Sequence, residues 1–285
     1  VKDKPWLVNQ ITVIGPGLMG GSIAKACIER ALSKRLVIGA REDELDLLKK
    51  SGLNATFYND FGLSVKGSDL VVLCVPLEAL KPILLEIKDF IGPETIVTDV
   101  TSVKREVISL FSEILTEKVQ WIGSHPMAGS EKSGFESSSS RLFEGSITIL
   151  TPGLHVGSQA LDIVKTFWEK LGSKTINLSG EEHDGLVSEI SHLPHLLSAV
   201  LMTTVSLRSL TLAGPGFRDI TRVASGCPHL WKSILLANRH SVCEAGKKFI
   251  LELEEALKIL QIGDEKALLE LLNKAHIRRK GLEKK

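Results

Sequence analysis

The chain of 285 residues reads as an α/β protein, with a doubly wound, mostly parallel sheet over residues 8–178 and an all-helical domain over 179–285. Three observations predict this. Short Val/Ile/Leu-rich runs alternate with helix-period stretches through the first part, the pattern of a parallel sheet covered on both faces. After Ser179 and Gly180 the strand-like runs stop, and apolar residues recur at three- and four-residue steps. The length lies in the ~250 to 300 residue range at which single cores stop growing, which favours two domains.

In order along the chain, the predicted strands are Ile11–Ile14, Leu36–Gly39, Leu70–Val75, Ile96–Val100, Trp121–Ser124, Ser146–Leu150 and Lys174–Leu178. These runs are too apolar for strands with one wet face, so helices are expected on both sides of the sheet. The four serines at 137–140 are the low-complexity spot of the chain and read as a loop or a helix entry. In the second domain, Trp231, Ile234, Leu235, Asn238, Val242, Ala245, Phe249, Leu253, Ala256 and Leu260 follow helical spacing. That spacing predicts one helix of about eight turns. Its stripe serves either an intrachain core or a second subunit, and a helix so long in so small a domain favours a homodimer.

Charge and composition exclude several function classes. Lys plus Arg number 35 against 34 Asp plus Glu, a formal charge of +1, so no basic excess announces a nucleic acid. The basic tail of Arg278, Arg279, Lys280, Lys284 and Lys285 reads as a solvated helix end. No apolar run reaches the roughly 18 to 20 residues of a membrane span, and Val1 to Gln10 lack a signal-peptide pattern. A cytoplasmic protein is expected. Cys27, Cys74, Cys227 and Cys243 form no CxxC pair, which argues against a disulfide framework or a zinc site and suggests buried small hydrophobes. The chain begins at Val, so it reads as a segment of something longer.

Gly15, Gly17 and Gly20 form G-x-G-x-x-G between the first strand and a helix, within a βαβ unit of about thirty residues, which is the context that confirms a Rossmann-type dinucleotide site. Gly15 supplies the tight turn, Gly17 close approach to the pyrophosphate, and Gly20 close helix–strand packing. Leu18 and Met19 complete the loop, where helix amides face the phosphates. The second strand ends Gly39-Ala40-Arg41 with no carboxylate for a ribose 2′-hydroxyl. Arg41 therefore predicts NADP ahead of NAD, unless it is a plain solvated helix-start residue; Glu42 and Asp43 follow at once and can swing in. Val75-Pro76, at the end of the strand beginning at Leu70, are expected to lie along the cofactor as packing.

Four further clusters carry the chemistry. Asp99-Val-Thr-Ser102-Val-Lys104 and Ser124-His125-Pro126-Met127-Ala128-Gly129-Ser130-Glu131 each follow a strand, Ser191-His192-Leu193-Pro194-His195 lies in the first long helix of the second domain, and Gly216-Phe217-Arg218-Asp219-Ile220-Thr221-Arg222 comes after it. In this order and after the glycine motif, they closely resemble the prephenate/arogenate dehydrogenase family of tyrosine biosynthesis, over about residues 10 to 240. The resemblance implies NAD(P)-dependent oxidation of a cyclohexadienol carrying a ring carboxylate, coupled to decarboxylation, with prephenate favoured over arogenate.

The residue types suit that chemistry independently. A carbinol losing hydride also loses a hydroxyl proton, so a neutral base working near physiological pH is needed, and His125 at a strand's carboxyl end fits. Ser102 resembles the family serine that bonds the reacting hydroxyl and the histidine, yet by itself is more often a helix N-cap, with Glu106 just beyond it at a helix start. A dianionic substrate calls for a planar cation, and the resemblance gives that role to Arg222. It also implies His195 and Ser191 at the side-chain end, with Glu131 and Asp219 pairing with the arginine and gating the pocket. His195 by itself is more commonly a satisfied core histidine, although Pro194 beside it marks a perturbed helix. His192 reads as structural or as a support behind the site residues, and Trp231 as a pocket neighbour or core anchor. No appended small α/β domain of about seventy residues follows, so any tyrosine feedback is expected at the active site itself.

Two other readings compete. Hydroxyacid and imino-acid reductases also join a glycine-motif domain to a helical one, but match the clusters less well. A non-catalytic NADP-binding sensor would need no Ser102, His125, His195 and Arg222 together.

Overall fold

A computed structural model describes residues 6–115, 119–129, 132–153 and 156–282. The first part runs β1 (Val8–Ile14), α1 (Leu18–Glu29), β2 (Ser33–Gly39), α2 (Glu42–Lys50), β3 (Thr56–Tyr58), α3 (Phe61–Val65), β4 (Leu70–Leu73) and α4 (Leu77–Ile87). It continues through β5 (Ile96–Asp99), α5 (Arg105–Ile114), β6 (Gln120–Pro126), β7 (Ile147–Pro152), α6 (Ser158–Lys170) and β8 (Lys174–Asn177). The eight strands form one sheet in the order β3-β2-β1-β4-β5-β6-β7-β8. Neighbours are parallel except β6 and β7, which run antiparallel. All seven expected strands are present, and β3 is an eighth.

Strand order reverses between β1 and β4, so a crevice opens beyond their carboxyl ends, the place where open α/β sheets bind ligands. Two apolar layers enclose the sheet, one containing Ile23, Phe143, Phe167 and Trp168, the other Leu80, Leu84, Val107 and Phe111. The run expected to reach Val75 stops pairing at Leu73, because Pro76 has no N–H for a ladder and instead caps α4. The serine tract follows a short 3₁₀ turn, Phe135–Ser137, and lies against α1: Ser139 N–H donates to Ser22 Oγ at 3.0 Å and Lys25 Nζ donates to Ser138 O at 2.8 Å.

From Gly180 the chain is helical: α7 (Gly180–Val187), a π turn (Ser188–His192), α8 (Leu193–Thr204), α9 (Leu207–Leu210), α10 (Pro215–Thr221), a 3₁₀ turn (Arg222–Ser225), α11 (Pro228–Ala237), α12 (Arg239–Ile262) and α13 (Glu265–Leu282). The π turn directly precedes Pro194, which enters the next helix within its first turn, where its missing N–H costs least.

The single eight-turn helix expected from Trp231 is two helices broken at Asn238. Asn238 leaves helical geometry at φ −102° and ψ 23°. Its buried amide donates to Asp184 O at 2.8 Å and meets His192 Nδ1 at 3.1 Å. A buried amide must find partners, and here they lie to the side of the helix axis. The cysteines also depart from expectation. Cys27 is buried, its thiol pushed up to about 12 by desolvation, but Cys227 and Cys243 are exposed, at the N-cap of α11 and on α12. All four are free.

Candidate active site

The glycine loop has the geometry of a phosphate cradle. Gly15 adopts φ +89°, and a Cβ there would lie 2.5 Å from Cys74 O. At Gly20 a Cβ would meet Gly15 O at 2.1 Å and Cys74 Cβ at 3.0 Å, so helix and strand pack at backbone contact. Gly17 has nothing within 4 Å, leaving its backbone open to a ligand. Two cavities flank the loop. One, of about 370 Å³, runs past Gly15, Gly39, Ala40, Arg41, Glu44 and Phe61. The other, of about 450 Å³, runs past Leu18, Met19, Ser102, His125, Lys132 and Leu230. They share Gly17, Cys74, Val75 and Pro76, so the loop sits at the middle of one elongated cleft, a shape that fits a dinucleotide.

His125 sits near the end of β6 in the wall of the larger cavity, only 8% exposed. Its position is fixed from below by the strand. Ser124 N–H donates to Asp99 Oδ1 at 3.2 Å, and Trp168 Nε1 donates to Ser124 Oγ at 3.0 Å. Asp99 in turn forms a fully buried ion pair with Lys104, Nζ to Oδ2 2.5 Å, with Thr101 Oγ1 also bonded to that oxygen. Burial pushes the Lys104 ammonium below its ordinary range, while Asp99 opposes the shift.

From the side, His125 Nδ1 lies 2.8 Å from His183 Nε2, and His183 Nδ1 lies 2.7 Å from Asp184 Oδ1. Asp184 also accepts Lys104 N–H at 2.8 Å and Arg105 N–H at 3.1 Å, capping α5 from α7. Although burial opposes it, the bonds from His183 and those two amides hold the Asp184 carboxyl below the usual range. An ionised Asp184 only accepts, so the proton of neutral His183 belongs on Nδ1, and its Nε2 is an acceptor. His125 therefore carries its proton on Nδ1 and leaves Nε2 with a lone pair. Desolvation, then His183, Lys104 and His192, hold His125 well below 6.5, so it is neutral at physiological pH. A neutral imidazole with a bare Nε2 is a proton acceptor.

Ser102 is half-buried in the same cavity wall. The N-cap of α5 is Lys104, so Ser102 does not serve as that cap. The structure thus brings Gly17, Leu18, Met19, Val75, Pro76, Ser102 and His125 to one cavity, with Gly15 and Arg41 in the adjoining one.

The helical candidates do not line either cavity. His195 is buried, stacked flat on Trp231 at 3.5 Å between ring centroids, and its Nδ1 has no hydrogen-bond partner. Trp231 is thus the cover of His195. Ser191 is half-buried in the π turn. Asp219 and Arg222 are exposed on α10 and the 3₁₀ turn after it. They belong to a segment that also exposes Leu207, Leu212 and Ile220 at 84%, 85% and 66%. Glu131 lies outside the described residues. His192 is fully buried, bonded through Nδ1 to Asn238, and pushed down to about 4 by desolvation.

His183 and Asp184 were not among the candidates from sequence. Ser179 accepts Glu182 N–H at 3.1 Å, and Glu181 and Glu182 fill the first turn, so His183-Asp184 hide inside an ordinary acidic helix start. Among the described residues, no cluster of His, Cys, Asp or Glu is placed to hold a metal, and no helix is long and apolar enough to cross a membrane.

Comparison with known proteins gives the same picture. Residues 23–177 match the family model described as prephenate dehydrogenase, nucleotide-binding domain, and residues 179–274 the one described as prephenate dehydrogenase, dimerization domain. The chain is 34% identical over 282 residues to a prephenate dehydrogenase of Bacillus subtilis (strain 168), covering 96% of this chain and 76% of that one. A prephenate dehydrogenase from A. aeolicus, solved with hydroxyphenyl propionate and NAD+, superposes with TM-score 0.88 at 28% identity, covering 96% of this chain and 98% of the other. An arogenate dehydrogenase from Synechocystis superposes with TM-score 0.84 at 26% identity, covering 96% and 99%. A pyrroline-5-carboxylate reductase from Coxiella burnetii shares the fold alone, at 17% identity and TM-score 0.52 over 83% of this chain and 97% of that one.

Proposed function

Since the chain belongs to the prephenate dehydrogenase family and is an NAD(P)-dependent dehydrogenase that oxidises and decarboxylates a cyclohexadienol, we propose that its substrate is prephenate and that His125 is its base. The observation that carries this reading is His125 in the wall that also holds Gly17, Leu18, Met19 and Ser102, backed by His183.

The open backbone at Gly17 and the tight packing at Gly15 and Gly20 fit the cofactor's pyrophosphate, with Val75 and Pro76 packed along the cofactor. When bound, the cofactor supplies the acceptor for the carbinol hydride. His125 Nε2 takes the hydroxyl proton as the carbinol becomes a carbonyl, and Ser102 bonds that oxygen. The ring carboxylate then leaves as carbon dioxide, its electron pair aromatises the ring, and protonated His125 returns the proton to the phenolate oxygen. Asp184 and His183 stabilise the imidazolium through Nδ1 while it exists.

Arg222 holds a substrate carboxylate, and Ser191, His195, Glu131 and Asp219 complete the side-chain end. Because Arg222 and Asp219 are exposed, this assignment requires their segment to fold toward the cleft. Arg41 favours NADP, with NAD as second cofactor. We divide the chain at 178/179, and assign a homodimer formed through the helical domain. The latter is supported by the family's dimerization domain and by Phe249, Leu253, Leu257 and Leu260, a stripe on α12 that is 39–57% exposed. A cytoplasmic location fits a biosynthetic enzyme of this kind.

Arogenate is the second reading, supported by the Synechocystis structure's likeness. Steady-state rates with prephenate and arogenate, each with NAD and NADP, test the assignment. A higher kcat/KM for prephenate is expected; a higher value for arogenate with both cofactors overturns it.

A further inference from the structure

The far end of the cleft carries a charge arrangement that the glycine motif does not explain. Arg41 follows β2, where the ribose 2′ position is read, and is the only cationic side chain lining that cavity among the described residues. Its guanidinium is already engaged. Nε donates to Asp43 Oδ1 at 3.1 Å, and Nη2 reaches Asp43 Oδ2 at 3.4 Å and Glu44 Oε1 at 3.3 Å. Glu44 also accepts Arg41 N–H at 3.1 Å, closing a capping box at the start of α2, and it lines the cavity itself. Glu42 is turned away and bonded to Asn59. Bonding to Asp43 first, then the charges of Glu44 and Asp43, strengthen the hold of Arg41 on its proton.

A phosphate monoester carries about −1.5 to −2 charges at neutral pH. To use Arg41 it must displace two carboxylates as partners and remain beside their charge. A ribose 2′-hydroxyl needs only an acceptor, which Glu44 provides. We propose that Asp43 and Glu44 set the cofactor preference: they blunt the grip of Arg41 on the 2′-phosphate of NADP, while Glu44 accepts the 2′-hydroxyl of NAD. The preference of Arg41 for NADP is then narrowed to a small margin. This inference rests on the reading of Arg41 as the partner of the 2′-phosphate.

Arg41 and Asp43 are 68% and 71% exposed, so solvent screens each pair and its removal is worth about two- to fivefold in affinity. The test is calorimetric binding of ADP-ribose and of 2′-phospho-ADP-ribose, fragments that bind without turnover, to wild type, Asp43→Asn, Glu44→Gln, the double variant and Arg41→Ala. Glutamine serves at the third position of a capping box, so Glu44→Gln keeps the helix start. Wild type should bind the two fragments within about tenfold of each other. The double variant should tighten the phosphorylated fragment by about four- to twenty-fivefold, the product of the two single effects, and Glu44→Gln should weaken ADP-ribose severalfold. A double variant with the wild-type ratio, while Arg41→Ala shifts that ratio, overturns the proposal and leaves Arg41 in place. An Arg41→Ala ratio equal to wild type removes the role of Arg41 itself, and the proposal with it.

Discussion

The backing of His125 by His183 predicts a specific catalytic defect. In His183→Leu, the His125 Nδ1–H loses its acceptor at 2.8 Å inside a buried site. That bond is neutral in the resting enzyme and charge-assisted once His125 holds the substrate proton, so its loss falls mainly on the transition state. Charge-assisted bonds of this kind contribute about 1.5–3 kcal/mol, which converts to a loss of about ten- to a hundredfold in kcat. KM should change little. In His183→Gln an amide oxygen can accept the same proton, so kcat should recover most of the loss. The assay is appearance of the reduced nicotinamide band under saturating prephenate and cofactor, with thermal melting to confirm folding. A folded His183→Leu enzyme with kcat within twofold of wild type, or a glutamine variant as impaired as the leucine one, refutes the reasoning.

Other outcomes follow from neighbouring features. Gly20→Ala places a Cβ 2.1 Å from Gly15 O and should destabilise the fold by about 1–3 kcal/mol, read as a lower Tm; Gly17→Ala meets nothing within 4 Å and should keep Tm while weakening ADP-ribose. His125→Asn should collapse kcat with substrate binding nearly intact, and Arg222→Ala should mainly raise KM; the reverse pattern exchanges their roles. His192 falls from 6.5 in the unfolded chain to about 4 when folded, so the unfolded state binds the extra proton between those values. Stability should therefore decline as pH falls from 6.5 toward 4, by about 3 kcal/mol from this residue, at ~1.36 kcal/mol per pKa unit. Urea midpoints that stay constant over that range contradict the buried, neutral histidine.

Continuous apolar runs made the central strands legible because a strand covered on both faces needs no polar alternation. Thr56–Tyr58 escaped because one exposed and two half-buried residues at a sheet edge carry too little pattern to read. The glycine motif was legible because each glycine answers a local steric demand. The break at Asn238 was not, since the amide's partners, Asp184 and His192, stand 54 and 46 residues away. His125 and Ser102 could be found from their position after strands. Their support could not, because nothing local in Glu181-Glu182-His183-Asp184 says that one imidazole points across the fold. His195 illustrates the opposite case: the motif names it, but its ring faces Trp231 in a single chain.

The π turn at Ser188–His192 determines where the helical histidines aim. An i→i+5 turn holds one more residue than an α turn, and each α residue advances the azimuth by about 100°. His183 and His195 are twelve positions apart, which on an unbroken helix would set them about 120° from one another. With one residue absorbed, the angle shrinks to about 20°, and both imidazoles share a side. Deleting a single residue from the turn would leave eleven positions on an unbroken helix, again about 20°, and keep that alignment, whereas a deletion elsewhere between the two histidines would swing the downstream half by about 100° and turn out its buried face of Leu193, His195 and Ser198.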